Sequence, residues 1–425
     1  MEHSQHISRR RFLRQTVAAA AAGICAPYYV PGGVLAAPGR PGANDRVIIG
    51  FIGTGGRARQ LMDNVPAEGR IVAICDCYRQ RYLDTLAEKK QDWNTYQDYR
   101  RMLDAEKLDA VVVATPDHGR VLPCIHACQA GLDIYAEKPL TVTIREGRVL
   151  VNAVRKYKRV FQVGAQQRTM EMNRFACELV RTGGIGKIER VQGVCYTGPR
   201  DYQGLSEQRI PEGDDWGAWQ GPTEARPFNY ALQFGWMSWR AYSGGEMTNW
   251  GAHGVDQVQW ALDASLTGPV EVWPVTPGPN GKVSMRYADG VQVDYELEGG
   301  PAGGGIFTGS DAKIEIDRNV FRTTPSDLVK NPPDPAEAQR WEGPGWVARP
   351  HIQNWLDCIK TRERPNADVE IGHRSITVCH LANIAREIGR RLHWDPGKET
   401  FPGDDEANAY LDRPRRKGWE LPDPV

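Results

Sequence analysis

The sequence predicts an α/β protein of two domains: an N-terminal doubly wound parallel sheet, then an α+β domain with an open, mostly antiparallel sheet. Three observations carry this reading. The chain has 425 residues, more than one ordinary core accommodates. Between residues 46 and 165, short apolar runs alternate with helix-length segments, the rhythm of a parallel sheet with helices on both faces. Beyond residue 165 that rhythm gives way to runs of alternating polarity joined by turn residues.

The first apolar run, 46–53, reads VIIGFIG after Arg46, the pattern of a strand buried on both sides. It ends in Gly53-Thr54-Gly55-Gly56-Arg57-Ala58, which fits GxGxxA. Gly53 allows a tight turn, Gly55 lets the backbone approach a pyrophosphate, and Ala58 permits close packing of the next helix, at 56–66. A second strand, 71–76, ends in Asp76, at the spacing of an acid on a ribose 2′-hydroxyl. An acid there repels a 2′-phosphate, so NAD is expected over NADP, with Arg79 nearby moderating the preference. These features predict a Rossmann dinucleotide-binding domain over 45–165.

Further strands follow at 109–115, 132–136 and 160–164, with helices at 118–130 and 143–157. Open α/β sheets bind ligands beyond the carboxyl ends of their strands. The polar clusters ATPDH (114–118), AEKP (136–139) and Gln166-Gln167-Arg168 sit at such ends. The cofactor candidates are therefore Gly53, Thr54, Gly55, Gly56, Arg57, Ala58, Asp76, Thr115, Pro116, His118, Glu137, Lys138 and Gln167.

The second domain is placed at 166–395. A helix at 174–182 ends in Gly183-Gly184. Strands are read at 187–196, 270–275, 283–287, 291–297 and 313–317, with Asp289-Gly290 turning a hairpin. Helices at 174–182 and 249–262 cover one face of this sheet, and a partner subunit is expected on the other. Residues 198–243 form a long aromatic loop that can pack itself down or stack on a sugar. Two helices occupy 351–390, the second at 375–392, and the tail, 396–425, is expected to lie along the surface.

One stretch, GEMTNWGAHGVDQ (245–257), sets His253 among small and polar residues. With Thr248 as a cap, Asn249, His253, Asp256 and Trp260 share one helical face, while Val255, Val258 and Leu262 form the opposite, apolar face. The candidates for substrate contact are Arg168, Trp239, Arg240, Tyr242 and Asp256.

Lysines plus arginines equal aspartates plus glutamates, 53 each. With no long basic run, a nucleic-acid partner is not expected. The N-terminus, SRRRFLR followed by a short apolar stretch and Val34-Leu35-Ala36, resembles a twin-arginine (Tat) signal over 1–36. That implies export to the periplasm or another extracytoplasmic space. No other segment is long and apolar enough to span a bilayer. Of nine cysteines, none forms a CxxC pair, so no metal site is expected. The thiols are expected to be mostly buried and free.

Taken together, GTGGRA (53–58), ATPDH (114–118), AEKPL (136–140), GAQQR (164–168), GGEMTNWGAHGVD (244–256), NADVEIGHRS and LHWDP resemble the glucose-fructose oxidoreductase / inositol dehydrogenase (Gfo/Idh/MocA) family. The resemblance implies an NAD-dependent oxidoreductase acting on a hydroxyl of a sugar or cyclitol, assembled as a homo-oligomer through the open sheet. It implies that Lys138 contacts the cofactor and the reacting hydroxyl and that His253 is the acid/base. Many members carry aspartate where this chain has Asn249, which cannot take a proton. Asp256 is expected to orient the His253 ring. Export implies a tightly held cofactor. The resemblance leaves open a redox-neutral glycoside hydrolase working through a 3-keto intermediate, with Tyr202 or Tyr242 as an extra base, and a non-catalytic carbohydrate-binding protein.

Overall fold

Strands β1 (Val47–Ile52), β2 (Gly69–Cys75), β3 (Asn94–Tyr96), β4 (Ala110–Val113), β5 (Asp133–Ala136) and β6 (Phe161–Val163) make one parallel sheet, in the order β3-β2-β1-β4-β5-β6. This is a computed structural model, and it describes residue 42, residues 45–334 and residues 348–422. The export signal read at 1–36 lies outside the described residues. Every residue of β4 and β5 is buried, which is why these strands read as unbroken apolar runs. Helices α1 (Gly56–Met62), α2 (Arg79–Lys89), α3 (Tyr99–Ala105), α4 (Val121–Gln129) and α5 (Ile144–Lys156) link the strands. The sequence pattern did not reveal β3, a three-residue edge strand with two exposed side chains.

The chain continues through α6 (Glu171–Arg181), β7 (Ile188–Val194), α7 (Trp216–Gln220), α8 (Tyr230–Gly235), α9 (Glu246–Asn249) and α10 (Gly251–Ala261). Next come β8 (Glu271–Pro274), β9 (Val283–Arg286), β10 (Gln292–Leu297), β11 (Gly305–Gly309), β12 (Lys313–Asp317) and β13 (Val320–Thr324). The last elements are α11 (Arg349–Thr361), α12 (Val369–Ile388), β14 (Leu392–His393) and α13 (Asp405–Asn408). The second sheet has eight strands in the order β13-β12-β11-β7-β10-β9-β8-β14, all antiparallel except the β7–β10 pair.

Cross-strand register separates its two faces. Met285, Val293, Val191, Phe307 and Ile314 form a fully buried row under α6, α10 and α12. The opposite row reads Ser284, Asp294, Gln192, Ile306, Glu315 and Arg322, mostly polar. Antiparallel sheets commonly alternate in this way when one face is solvated.

Two helices differ from expectation. α12 starts at Val369, because the Asp368 side chain caps it by accepting from the Glu370 N–H at 3.1 Å, and it stops at Gly389, φ +78. Gly372 sits inside it because a Cβ there would fall 2.5 Å from Val163 Cγ2. Meanwhile α11 returns to the parallel sheet. Its Trp355, Ile352 and Leu356 share a core with Ile49, Phe51 and Tyr135 of β1 and β5. The described cysteines are eight free thiols, six of them buried.

Candidate active site

The carboxyl ends of β1, β2, β4 and β5 open into a cavity of about 940 Å³. Gly53, Gly55, Gly56, Arg57, Asp76, Thr115, Pro116, His118, Glu137, Lys138 and Gln166 wall it from one side. Trp219, Trp236, Asn249, Trp250, His253 and Arg318 wall it from the other.

The glycine turn is shaped for a phosphate. Gly53 has φ +90, and a Cβ on it would lie 2.7 Å from the Ala114 carbonyl oxygen. At Gly55 and Gly56 a Cβ would meet nothing within 4 Å, so the backbone is bare toward the cavity. No side chain caps α1, so its first N–H groups remain available to an anion. Asp76 accepts from the Thr54 N–H and hydroxyl on one oxygen, at 2.9 and 3.0 Å, and from the Tyr78 N–H on the other, at 3.0 Å. Thr54 thus serves the cleft by holding Asp76, and buried Ala58 by packing α1 onto the sheet. These residues fit a dinucleotide.

Glu137 accepts from Arg57 Nε at 2.8 Å and from Gln166 at 3.4 Å. Gln167, expected at the cofactor, instead donates to the Gly303 carbonyl at 2.5 Å, while Gln166 lines the cavity. His118 reaches the wall but is buried between the rings of Trp219 and Tyr242, with Nε2 2.7 Å from the Trp219 carbonyl oxygen. Burial pushes its pKa down to about 3, so the ring is neutral at ordinary pH.

Lys138, following β5, donates through Nζ to the Asn249 side-chain oxygen at 2.8 Å and to its backbone carbonyl at 3.1 Å. The Asn249 amide in turn donates to Glu246 at 3.0 Å. Burial lowers the Lys138 pKa to about 8, against the pull of Glu137 and Asp117. His253 sits in the first turn of α10, 8% exposed. Burial, then the charges of Lys138, Arg318 and Arg57, hold its pKa well below the ordinary value. Arg318 Nη2 lies 3.1 Å from Nδ1 and 3.0 Å from Nε2. A guanidinium only donates, so a ring nitrogen facing it must be an acceptor. The site therefore pairs an ammonium with a neutral imidazole.

The helix carrying this histidine departs from expectation. Thr248 lies inside α9, its hydroxyl donating to the Gly245 carbonyl at 3.1 Å, and α10 begins separately after Trp250. Asp256 does not orient the His253 ring. Its carboxylate accepts from Arg168 Nε at 2.9 Å and from the Ser375 hydroxyl at 2.6 Å. Arg168 and Asp256 form a buried pair off the main cavity, with the Arg168 guanidinium over Trp260. Trp239 and Tyr242 pack inside the aromatic loop, in a cluster with Trp216, Trp219, Phe228 and Leu232. Arg240 pairs with Asp201 and Glu387 and lines a different cavity.

Among the residues on the main cavity that the sequence reading gave no site role are Asp117, Arg318, Arg416 and Trp419. Asp117 was quoted within ATPDH but given no role. It is buried, bonded to the Ser243 hydroxyl at 2.9 Å, and burial raises its pKa to about 6. Arg318, on the turn between β12 and β13, belongs to no motif. Arg416 and Trp419 come from the tail expected to lie along the surface.

Residues 47–165 match the family described as "Oxidoreductase family, NAD-binding Rossmann fold", and residues 196–421 match "Oxidoreductase family, C-terminal alpha/beta domain". The chain is 26% identical to the rhizopine catabolism protein MocA of Rhizobium meliloti, over 51% of this chain and 57% of that protein. It thus spans little more than half the length of that relative. It is 23% identical to inositol 2-dehydrogenase of Rubrobacter xylanophilus, over 80% of this chain and 90% of that one. Among solved structures it resembles the WlbA dehydrogenase of Bordetella pertussis, determined with NADH and UDP-GlcNAcA. The TM-score is 0.61 and the identity 19%, over 83% of this chain and 98% of that one, a likeness of fold. With both halves matched in order, and with the parallel and the mostly antiparallel sheets in place, the chain belongs to the Gfo/Idh/MocA oxidoreductase family.

Proposed function

We propose that this protein is an NAD-dependent oxidoreductase acting on a secondary hydroxyl of a sugar or cyclitol. The observation that carries the reading is the meeting of Lys138, Asn249 and His253 on one cavity with the bare glycine turn. Bound NAD would supply the two-electron acceptor for the carbinol carbon.

The chain's own residues would do the rest. Gly55 and Gly56 leave backbone N–H groups open to the pyrophosphate. Asp76 favours a free ribose 2′-hydroxyl and repels a 2′-phosphate, which supports NAD over NADP. His253, kept neutral, takes the hydroxyl proton on a ring nitrogen. Lys138 donates to the same oxygen and stabilises its developing negative charge. Asn249 orients the ammonium and takes no proton. The similarity to inositol 2-dehydrogenase supports a polyhydroxylated substrate. SRRRFLR supports export through the twin-arginine route, with the cofactor already bound.

The test is mass spectrometry of any cofactor released from the purified protein, followed by a sugar and cyclitol panel read by NADH absorbance. An NADH band with one or more polyols is the expected result. No dinucleotide bound and no band with any polyol would overturn the reading.

A further inference from the structure

Asp76 marks the end of the cavity that takes the adenosine half of a dinucleotide. Cys77, Gln97, Tyr99 and Arg100 line that end. Two segments from distant parts of the chain cross it. The first is the start of the aromatic loop's α7. Asp215 donates its N–H to the Cys77 carbonyl at 3.0 Å, and Gln97 donates to the Gly213 carbonyl at 2.5 Å. Asp214 also forms a bridge with Tyr78.

The second segment is the C-terminal tail. Arg413 and Arg415 reach buried Glu146, at 2.7 and 3.4 Å. Arg416 donates to the Gly221 carbonyl from Nε at 2.8 Å and from Nη2 at 2.5 Å, and from Nη2 to the Gly217 carbonyl at 2.6 Å. Its own N–H donates to the Pro222 carbonyl at 3.0 Å. Trp419 follows across Gly418, φ +84. Its indole sits with the Arg100 guanidinium 4.8 Å from the ring centroid, and it lines the cavity together with Arg416.

We propose that this tail is a cofactor clasp: Trp419, carried on the Arg416 anchor and steadied by Arg100, closes the adenosine half of the cleft over bound NAD and slows its release. The proposal rests on the NAD reading above. An indole is the side chain best suited to the face of a purine, a contact strong enough to change binding about tenfold or more. The anchor stays in place when the tip opens, because moving Arg413 and Arg415 would strand the buried Glu146 carboxylate. Gly418, in the left-handed region open to glycine, supplies the hinge between anchor and tip.

The test uses Trp419→Ala and a chain ending at Arg416, both of which keep Arg413, Arg415 and Arg416, with Trp419→Phe as the conservative variant. NAD release is timed after dilution and quantified by mass spectrometry, and the affinities for ADP-ribose and nicotinamide mononucleotide are titrated separately. In the first two variants release should quicken about tenfold or more, and ADP-ribose should weaken by a similar factor. Nicotinamide mononucleotide affinity and the melting temperature of the ligand-free protein should not change, and Trp419→Phe should stay near wild type. Equal release rates in all chains, or an equal loss for both half-cofactors, overturn the clasp and leave the NAD reading standing. A wild-type chain that binds no dinucleotide overturns the NAD reading and the clasp with it.

Discussion

The Lys138 ammonium is held at both ends of one residue, 2.8 Å from the Asn249 side-chain oxygen and 3.1 Å from its backbone carbonyl. Residues 111 positions apart are thereby locked across the cleft between the two domains. The glycine turn and the histidine of the next helix line the same cavity as this ammonium.

Removing either member of this pair should disable turnover. Lys138→Ala and His253→Ala are each expected to lower kcat by about 100-fold or more, the scale of lost oxyanion or acid–base help. Steady-state kinetics on the best polyol check this, and full activity in either variant would remove that residue from the mechanism.

The pH profile should carry the Lys138 signature. Its pKa is lowered to about 8, so the ammonium is lost as pH rises through that value and kcat/KM should fall on the alkaline side. His253 is held well below its ordinary range, so the base form persists through neutral pH and the acid limb should lie below about 6.5. In Lys138→Ala the alkaline limb near 8 should vanish.

Asn249→Asp should move that limb upward. A carboxylate at the same place stands opposite the ammonium and favours its charged form. The alkaline limb should rise by about 1 unit or more, with activity retained at neutral pH. An unmoved limb would show that Lys138 is not the group titrating there.

Acid should weaken the fold before most carboxylates titrate. Burial lowers the pKa of His118 to about 3 and those of His351 and His380 to about 4. The unfolded chain binds these protons near 6.5, so the folded form loses stability as pH falls from about 6.5 toward 4. Melting temperatures measured between pH 7 and 5 should decline steadily. A flat Tm across that window would contradict neutral burial of these rings.

Arg168 and Asp256 should prove structural rather than substrate-binding. Arg168→Ala leaves a buried carboxylate with only the Ser375 hydroxyl and nearby amide donors, and should cost about 3–5 kcal/mol of stability. Urea titration reads this, and KM in the folded fraction should stay near wild type. A large KM change with stability intact would return Arg168 to the substrate.

What the sequence disclosed followed physical lines. Strands buried on both faces were visible as apolar runs, and the glycine turn and Asp76 were visible by spacing, because backbone geometry dictates those residue types. Lys138, Asn249 and His253 were found through motifs. The partner of His253 was not, since Arg318 arrives from a β-turn through tertiary packing that leaves no local pattern. Trp239 and Tyr242 looked like sugar platforms, but an aromatic residue reads the same in a sequence whether it packs inward or outward. The second of the late helices, read from 375, begins at Val369, and its first turns carry Gly372 where they pass Val163.

The return of α11 to the first sheet bears on synthesis. One flank of the nucleotide-binding half is completed by Ile352, Trp355 and Leu356, so an emerging chain cannot finish that half when its sixth strand leaves the ribosome. Phe51 and Tyr135 must wait, partly uncovered, until α11 has been made. A fragment ending near residue 165 would therefore carry an oily flank that invites aggregation.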